Sequence, residues 1–117
     1  MKINYKKYDI IMVDFGENSI GSEQKHIRPA LIVQNDKGNF FSSCTIVIPI
    51  SSTLKGLHIP EHVLIKKDEF NGLKVDSVLF CEQLRAISEQ RIIRKIGNIT
   101  EEKFLKEVKP ALYANFE

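Results

Sequence analysis

The stretch 16–29 (GENSIGSEQKHIRP) brings Glu23, Gln24, Lys25, His26 and Arg28 within six positions: an acid, an amide and three basic groups. Such a mixture can grip an anion and can move a proton. Pro29 disfavours the α region for the backbone of Arg28 and pushes it into an extended conformation, so the guanidinium leaves the chain from a fixed start. A second polar stretch, 52–61 (STLKGLHIPE), holds Lys55 and His58 and follows Ser51, a hydroxyl at the end of the apolar run TIVIPIS. Two polar loops of this kind can wall a cleft, with Arg28 and Ser51 on its rigid floor. Each residue also has a plainer reading. A serine at a strand end caps or faces water, an arginine before proline is a surface charge, and His26, His58 and His62 follow no metal-ligand spacing. Taken by pattern alone, these residues describe a small β-rich binding domain or an enzyme.

The elements that must position them are short strands. β-Branched and aromatic density bounded by turn residues predicts strands at 9–15 (DIIMVDF), 30–34 (ALIVQ), 45–51 (TIVIPIS), 63–66, 77–82 (SVLFCE) and 84–87 (LRAI), with a brief return at 94–96 after a turn of helix at 89–92. In the third of these, Ile46, Ile48 and Ile50 form the core face, while Ser51 falls on the other face and looks outward. Strand alternation likewise puts Arg28 on the side of Ala30 and Ile32. Thr100, followed by Glu101 and Glu102, predicts the N-terminus of a single C-terminal helix, whose apolar face is Phe104, Leu105, Val108, Ala111 and Leu112. Pro110 predicts a kink or break over 106–110. Six or seven short strands and one helix make a mainly β fold, a small, strongly bent sheet or barrel; a parallel α/β fold would need a helix between successive strands.

The 117 residues, 43% of them hydrophobic, suffice for one core, so residues 1–117 read as a single domain. A net charge of +2 from 17 basic and 15 acidic side chains argues neither for nor against a polyanionic partner. The basic residues cluster, however, at Lys6 and Lys7, at Lys25, His26 and Arg28, at Lys66 and Lys67, and at Arg91, Arg94 and Lys95. Cys44 and Cys81 lie in predicted strands among apolar neighbours and show no zinc pattern, so both are expected buried and reduced. No run approaches the roughly 20 apolar residues of a membrane span and none resembles a secretory signal. The expected compartment is the cytoplasm.

Read together, several stretches resemble the MazF/PemK family of toxin endoribonucleases. DIIMVDF is similar to the family's opening strand, with Tyr8 where glycine is usual, and GSEQKHIRPALIVQND is similar to its most diagnostic motif, continued by Gly38 and Asn39. IVIPIS matches a strand ending in a hydroxyl residue, IPEHV a Pro-x-His-Val element, and DSVLFCEQLRAIS the Asp-Ser-Val and Glu-Gln-Leu-Arg strand pair. The order and spacing of these elements cover nearly the whole chain.

The resemblance implies an SH3-like barrel of the MazF/CcdB/PemK kind, a homodimer with an RNA groove across it, and sequence-specific cleavage of single-stranded RNA that needs no metal or cofactor. In that chemistry the substrate's own 2′-hydroxyl attacks the neighbouring phosphate. Carried over by position, Arg28 matches the catalytic arginine, Ser51 the hydroxyl usually supplied by threonine, and Glu23 an acidic residue implicated in some members. Gly21, Ser22, Gln24, Lys25, His26, Ser52, Lys55 and His58 then line the RNA path. His26 stands where a glycine or small polar residue is common, as an added phosphate contact or general acid. A cognate antitoxin with a disordered tail is expected to occupy the same groove. The competing expectation is a barrel that poisons gyrase, or otherwise acts, by protein contact alone.

Overall fold

The computed structural model describes residues 4–16 and 26–117. Gly21, Ser22, Glu23, Gln24 and Lys25 lie outside the described residues.

Seven antiparallel strands are present among the described residues: β1 Asp9–Asp14, β2 Ile27–Ile32, β3 Cys44–Ser51, β4 His62–Ile65, β5 Ser77–Phe80, β6 Arg85–Ser88 and β7 Ile92–Asn98. Their order is β4-β5-β3-β2-β1-β7, with β6 paired to β3 off this path. β3 serves two neighbourhoods. Its first half pairs with β6 and β2, and beyond Pro49 it pairs with β5 through Ile50↔Leu79 and Ser51↔Val78. A proline cannot donate to a ladder, so it suits the point where a strand changes partner.

Both faces of this curled sheet are buried, which is why β1 reads as a continuous apolar run with no polar alternation. On one face Ile10, Leu31, Ile48, Ile50, Leu79, Phe104 and Val108 form a core beneath the C-terminal helix. On the other, Ile11, Val13, Phe15, Ala30, Ile32, Val47, Ile87 and Ile92 pack inside the curl of β7-β1-β2-β3-β6. The expectation that the isoleucine face of β3 alone is core is therefore corrected: Val47 is as buried as Ile48, and Ile46 is only half-buried. Two bulges in the β1–β7 ladder, between Ile10 and Ile11 and between Met12 and Val13, supply local bending.

Three further differences from the expected elements have local causes. β2 begins at Ile27, three residues earlier than 30–34, because Asp14↔Ile27 and Val13↔Arg28 extend its pairing with β1. β7 spans Ile92–Asn98 and is no brief return, since it pairs along most of β1. A short helix, α1 Asp36–Phe41, was not foreseen; DKGNFF has no helical apolar stripe, and the turn is held by polar bonds. Asn35 Oδ1 accepts the Gly38 N–H at 2.8 Å, and buried Asn39 accepts from Thr45 Oγ1 at 2.7 Å and from Gln34 Nε2 at 3.0 Å.

The C-terminal helix opens with α2 Glu101–Lys103, capped by Thr100, whose Oγ1 accepts the Lys103 N–H at 3.1 Å. It continues through a π-helical turn, Phe104–Val108, into α3 Lys109–Tyr113. Within the wide turn the Lys109 N–H bonds to the Phe104 carbonyl, five residues back. The distortion expected at 106–110 thus takes the form of a π turn that makes room for Pro110, which has no N–H to return to Lys106. Phe104, Val108 and Ala111 are buried, whereas Leu105, expected on the same face, is 48% exposed. No helix among the described residues is long and apolar enough to cross a membrane.

Candidate active site

Arg28 is the second residue of β2, across from Val13 of β1. β2 and β3 pair as Ile32↔Val47, Leu31↔Ile48 and Ala30↔Pro49, where their ladder stops. Neither Pro29 nor Pro49 has an N–H to give, which lets the two strands part. Continued two places past that last pair, the same register would bring Arg28 opposite Ser51. Side chains two apart on a strand share a face, so Arg28 stands with Ala30 and Ile32, and Ser51 with Pro49 and Val47. Ala30, Ile32 and Val47 all belong to the core inside the curl. A cation and an alcohol therefore occupy one face of neighbouring strands, at the rim where pairing ends.

Ser51 does not look outward as expected; it is 5% exposed, because β5 covers it through the Ser51↔Val78 pair. Its Oγ accepts the Thr53 N–H at 3.1 Å. That bond uses an acceptor lone pair and leaves the hydroxyl proton for another group. Ser52, Lys55 and His58 follow on an exposed loop. Ser52 and Leu54 also edge an open depression of about 610 Å³ completed by Lys67, Lys74, Val75 and Asp76.

His26 is exposed at the far end of the β1–β2 connection, with φ +63°. Its N–H donates to the Gly16 carbonyl at 2.6 Å, and its own carbonyl accepts the Phe15 N–H at 2.8 Å. The hairpin is thereby closed one residue before β2. Histidine is among the residues that enter this left-handed region more often than most non-glycines.

Two arrangements near these residues escaped the sequence reading. The side chain of His62 is only 8% exposed, with Nε2 2.6 Å from Glu82 Oε2 and Nδ1 2.9 Å from the Gly56 carbonyl. Its ring lies 4.7 Å from that of Phe80. Gly56 has φ +64°, and a Cβ there would come within 2.8 Å of His62 Nδ1, so the loop after Ser51 is moulded around the imidazole. His62 and Glu82 are 20 residues apart, so no local spacing marks the pair. The second arrangement is Arg85, whose Cζ lies 5.3 Å from the centre of the Phe15 ring. Farther along the same side, Arg91 Nη1 donates to the Asp14 carbonyl at 3.1 Å and Lys95 pairs with Asp9 at 3.1 Å.

The cysteines differ from each other. Cys81 is buried, and its thiol is pushed up to about 12, first by burial and then by the nearby Glu82 and Glu61 carboxylates. Cys44 is exposed, contrary to expectation, because it is the first residue of β3, where the core has not yet begun. Burial likewise raises the Tyr5 phenol, helped by Glu89, whose Oε2 accepts its hydroxyl at 3.3 Å. Among the described residues no three His, Cys, Asp or Glu side chains converge as metal ligands would.

A family model described as the PemK-like, MazF-like toxin of type II toxin–antitoxin systems matches residues 6–116. The chain is 38% identical over 97 residues to endoribonuclease EndoA of Bacillus subtilis (strain 168), covering 83% of this chain and 82% of that protein. Among solved structures, MazF from Deinococcus radiodurans superposes with a TM-score of 0.77 at 21% identity, covering 96% of each chain. An endoribonuclease of mycobacterial species in complex with its cognate antitoxin gives 0.76 at 15% identity, covering 97% of this chain and 95% of that one. With the family's fold present throughout and its sequence matched almost end to end, the chain belongs to the PemK-like, MazF-like toxins of type II toxin–antitoxin systems.

Proposed function

We propose that this protein is an mRNA-interferase toxin: a sequence-specific endoribonuclease that cuts single-stranded RNA in the cytoplasm without a metal, acting as one domain in a homodimer. The observation that carries the reading is the placement of Arg28 and Ser51 on one face of adjoining strands where the ladder parts, in a chain similar to an endoribonuclease. The substrate's 2′-hydroxyl attacks the adjacent phosphorus. The new P–O2′ bond forms as P–O5′ breaks, leaving a 2′,3′-cyclic phosphate and a 5′-hydroxyl. Negative charge grows on the non-bridging oxygens in the transition state, and a guanidinium offers them a planar fork of N–H donors. Arg28 supplies that fork and Ser51 adds the hydroxyl proton left over from its bond with Thr53. Glu23 is the candidate for taking the 2′-hydroxyl proton, with His26 second, and the leaving 5′-oxygen takes up a proton in turn.

Gly21, Ser22, Gln24, Lys25, His26, Ser52, Lys55 and His58 are proposed to line the RNA path on the two loops that flank the pair. A cognate antitoxin, as in the mycobacterial complex, would cover the same groove with its tail. The test is cleavage of a mixed-sequence RNA in the presence of a chelator, with mapping of the product ends. Replacing the 2′-hydroxyl at the cut nucleotide by hydrogen should abolish the cut. Cleavage of the deoxy substrate would overturn the mechanism, and failure to cut any RNA would favour action by protein contact.

A further inference from the structure

We propose that Arg85 is an additional RNA-binding residue, holding a backbone phosphate next to the scissile one; this rests on the ribonuclease reading above. Arg85 lies across from Val47 where β6 pairs with β3, on the face of β3 that also carries Ser51. Val13 is the partner of Arg28, and Phe15 is the next residue on that face of the chain, hydrogen-bonded through its N–H to His26. Diagonal neighbours of this kind lie within reach of aromatic and long side chains. Phe15 thus stands beside Arg28, and the Arg85 guanidinium sits over the same ring, 5.3 Å from its centre. Arg85 is thus held over the ring of a residue that is a diagonal neighbour of Arg28 in the β1–β2 ladder.

The way Arg85 is held favours an anion. A guanidinium held over a ring is attracted through its charge to the ring's face, which occupies no N–H in a strong hydrogen bond. Arg91, by contrast, gives an N–H to the Asp14 carbonyl, and Lys95 is paired with Asp9. Among the described residues, no carboxylate pairs with Arg85, which is exposed. Its donors are oriented by Phe15 and left for a ligand with several acceptor oxygens. Val47 and Ser51 are four residues apart on β3, a separation of about 13 Å at ~3.3 Å per residue. That offset removes Arg85 from the reacting phosphorus and suits a flanking phosphate of the same strand.

The experiment uses an oligoribonucleotide carrying the mapped cut site, both cleavable and with a single 2′-deoxy substitution at the cut nucleotide. Binding of the deoxy form is titrated against salt for the wild type, Arg85→Gln and Arg85→Lys. Loss of one phosphate contact to a single strand should lower the slope of log affinity against log salt by about 0.7. Arg85→Gln should show that fall, with KM for the cleavable form raised roughly three- to tenfold and kcat within about twofold of wild type. Arg85→Lys keeps the charge and should retain most of the slope. An unchanged slope and KM in Arg85→Gln would overturn the proposal, as would a loss confined to kcat, which would place Arg85 at the reacting phosphate instead. Unaltered RNA binding accompanied by weakened antitoxin binding would also overturn it. If wild-type protein cuts RNA and Arg85→Gln matches it, only this inference fails; if wild type cuts none, the ribonuclease reading fails first.

Discussion

The two faces of the curled sheet are equally buried and differ in how they end. Beneath the C-terminal helix, Phe104, Val108 and Ala111 close the core, and Phe104 is clasped by the Tyr8 ring at 5.1 Å. Inside the curl, the core of Ile11, Val13, Ala30, Ile32 and Val47 runs out at a rim occupied by Arg28, Ser51 and Arg85. One face is sealed by an element whose work is packing. The other ends where two prolines stop the ladder, with polar groups at its rim in place of a covering helix. A small domain can in this way keep its stability and its chemistry on opposite sides of the same strands, so that changes to one side should leave the other readable.

The hardest test of that separation is Phe104→Ala, which removes a buried aromatic from the sealed face. It should cost about 3–5 kcal/mol in a denaturant titration, while activity per folded molecule stays near wild type. A large fall in kcat for the folded fraction would break the comparison. Arg28→Ala should do the reverse: a loss of about 2.7–4 kcal/mol of transition-state stabilisation, or roughly 10² to 10³ in rate, with the denaturation midpoint little changed. Ser51→Ala should fall in the same direction and by less, since a neutral donor is weaker than a charged one. It should also loosen the turn at Thr53.

Gly56→Ala tests the border between the two behaviours. The left-handed backbone and the 2.8 Å approach to His62 predict a stability loss of about 1–2 kcal/mol. Because the loop follows Ser51, RNA cleavage should weaken too, whereas a variant with unaltered cleavage would show the loop's anchorage to be purely structural. The smallest expected effect concerns Cys81. Its folded-state thiol titrates near 12, above the ordinary value of 9.0, so folding favours the protonated form. Any stability it contributes is complete below about pH 9 and is lost as pH rises through the folded value. Alkylation of native protein at pH 8 should accordingly modify Cys44 and spare Cys81, and mass spectrometry of peptides distinguishes them.

Much of this was legible in the sequence. Apolar runs with turn residues between them marked the strands, the Thr100 cap marked the helix, and Pro110 marked its distortion. Other features depended on distant partners. The six residues of α1 carry no apolar stripe and are held by Asn35, Asn39 and Thr45. Ser51 was read as outward because alternation names only two faces; which of them is covered depends on the sheet that closes over it. His62 carries no local signal of its role, because its partner Glu82, 2.6 Å away, is 20 residues along the chain. Glu23 and its neighbours in the loop remain an expectation from motif alone.

What the chain's order of residues settled by itself was local: where backbone must be extended, where a helix can start, where proline forbids a ladder bond, and which segments look like a toxin family. Only the tertiary structure decided which strands lie side by side, that Ser51 is covered, and that Arg85 stands over Phe15. The physical reason is that dihedral preference and capping act between near neighbours. Strand pairing and burial, by contrast, are collective, and they join residues such as Phe15 and Arg85 that share no local signal.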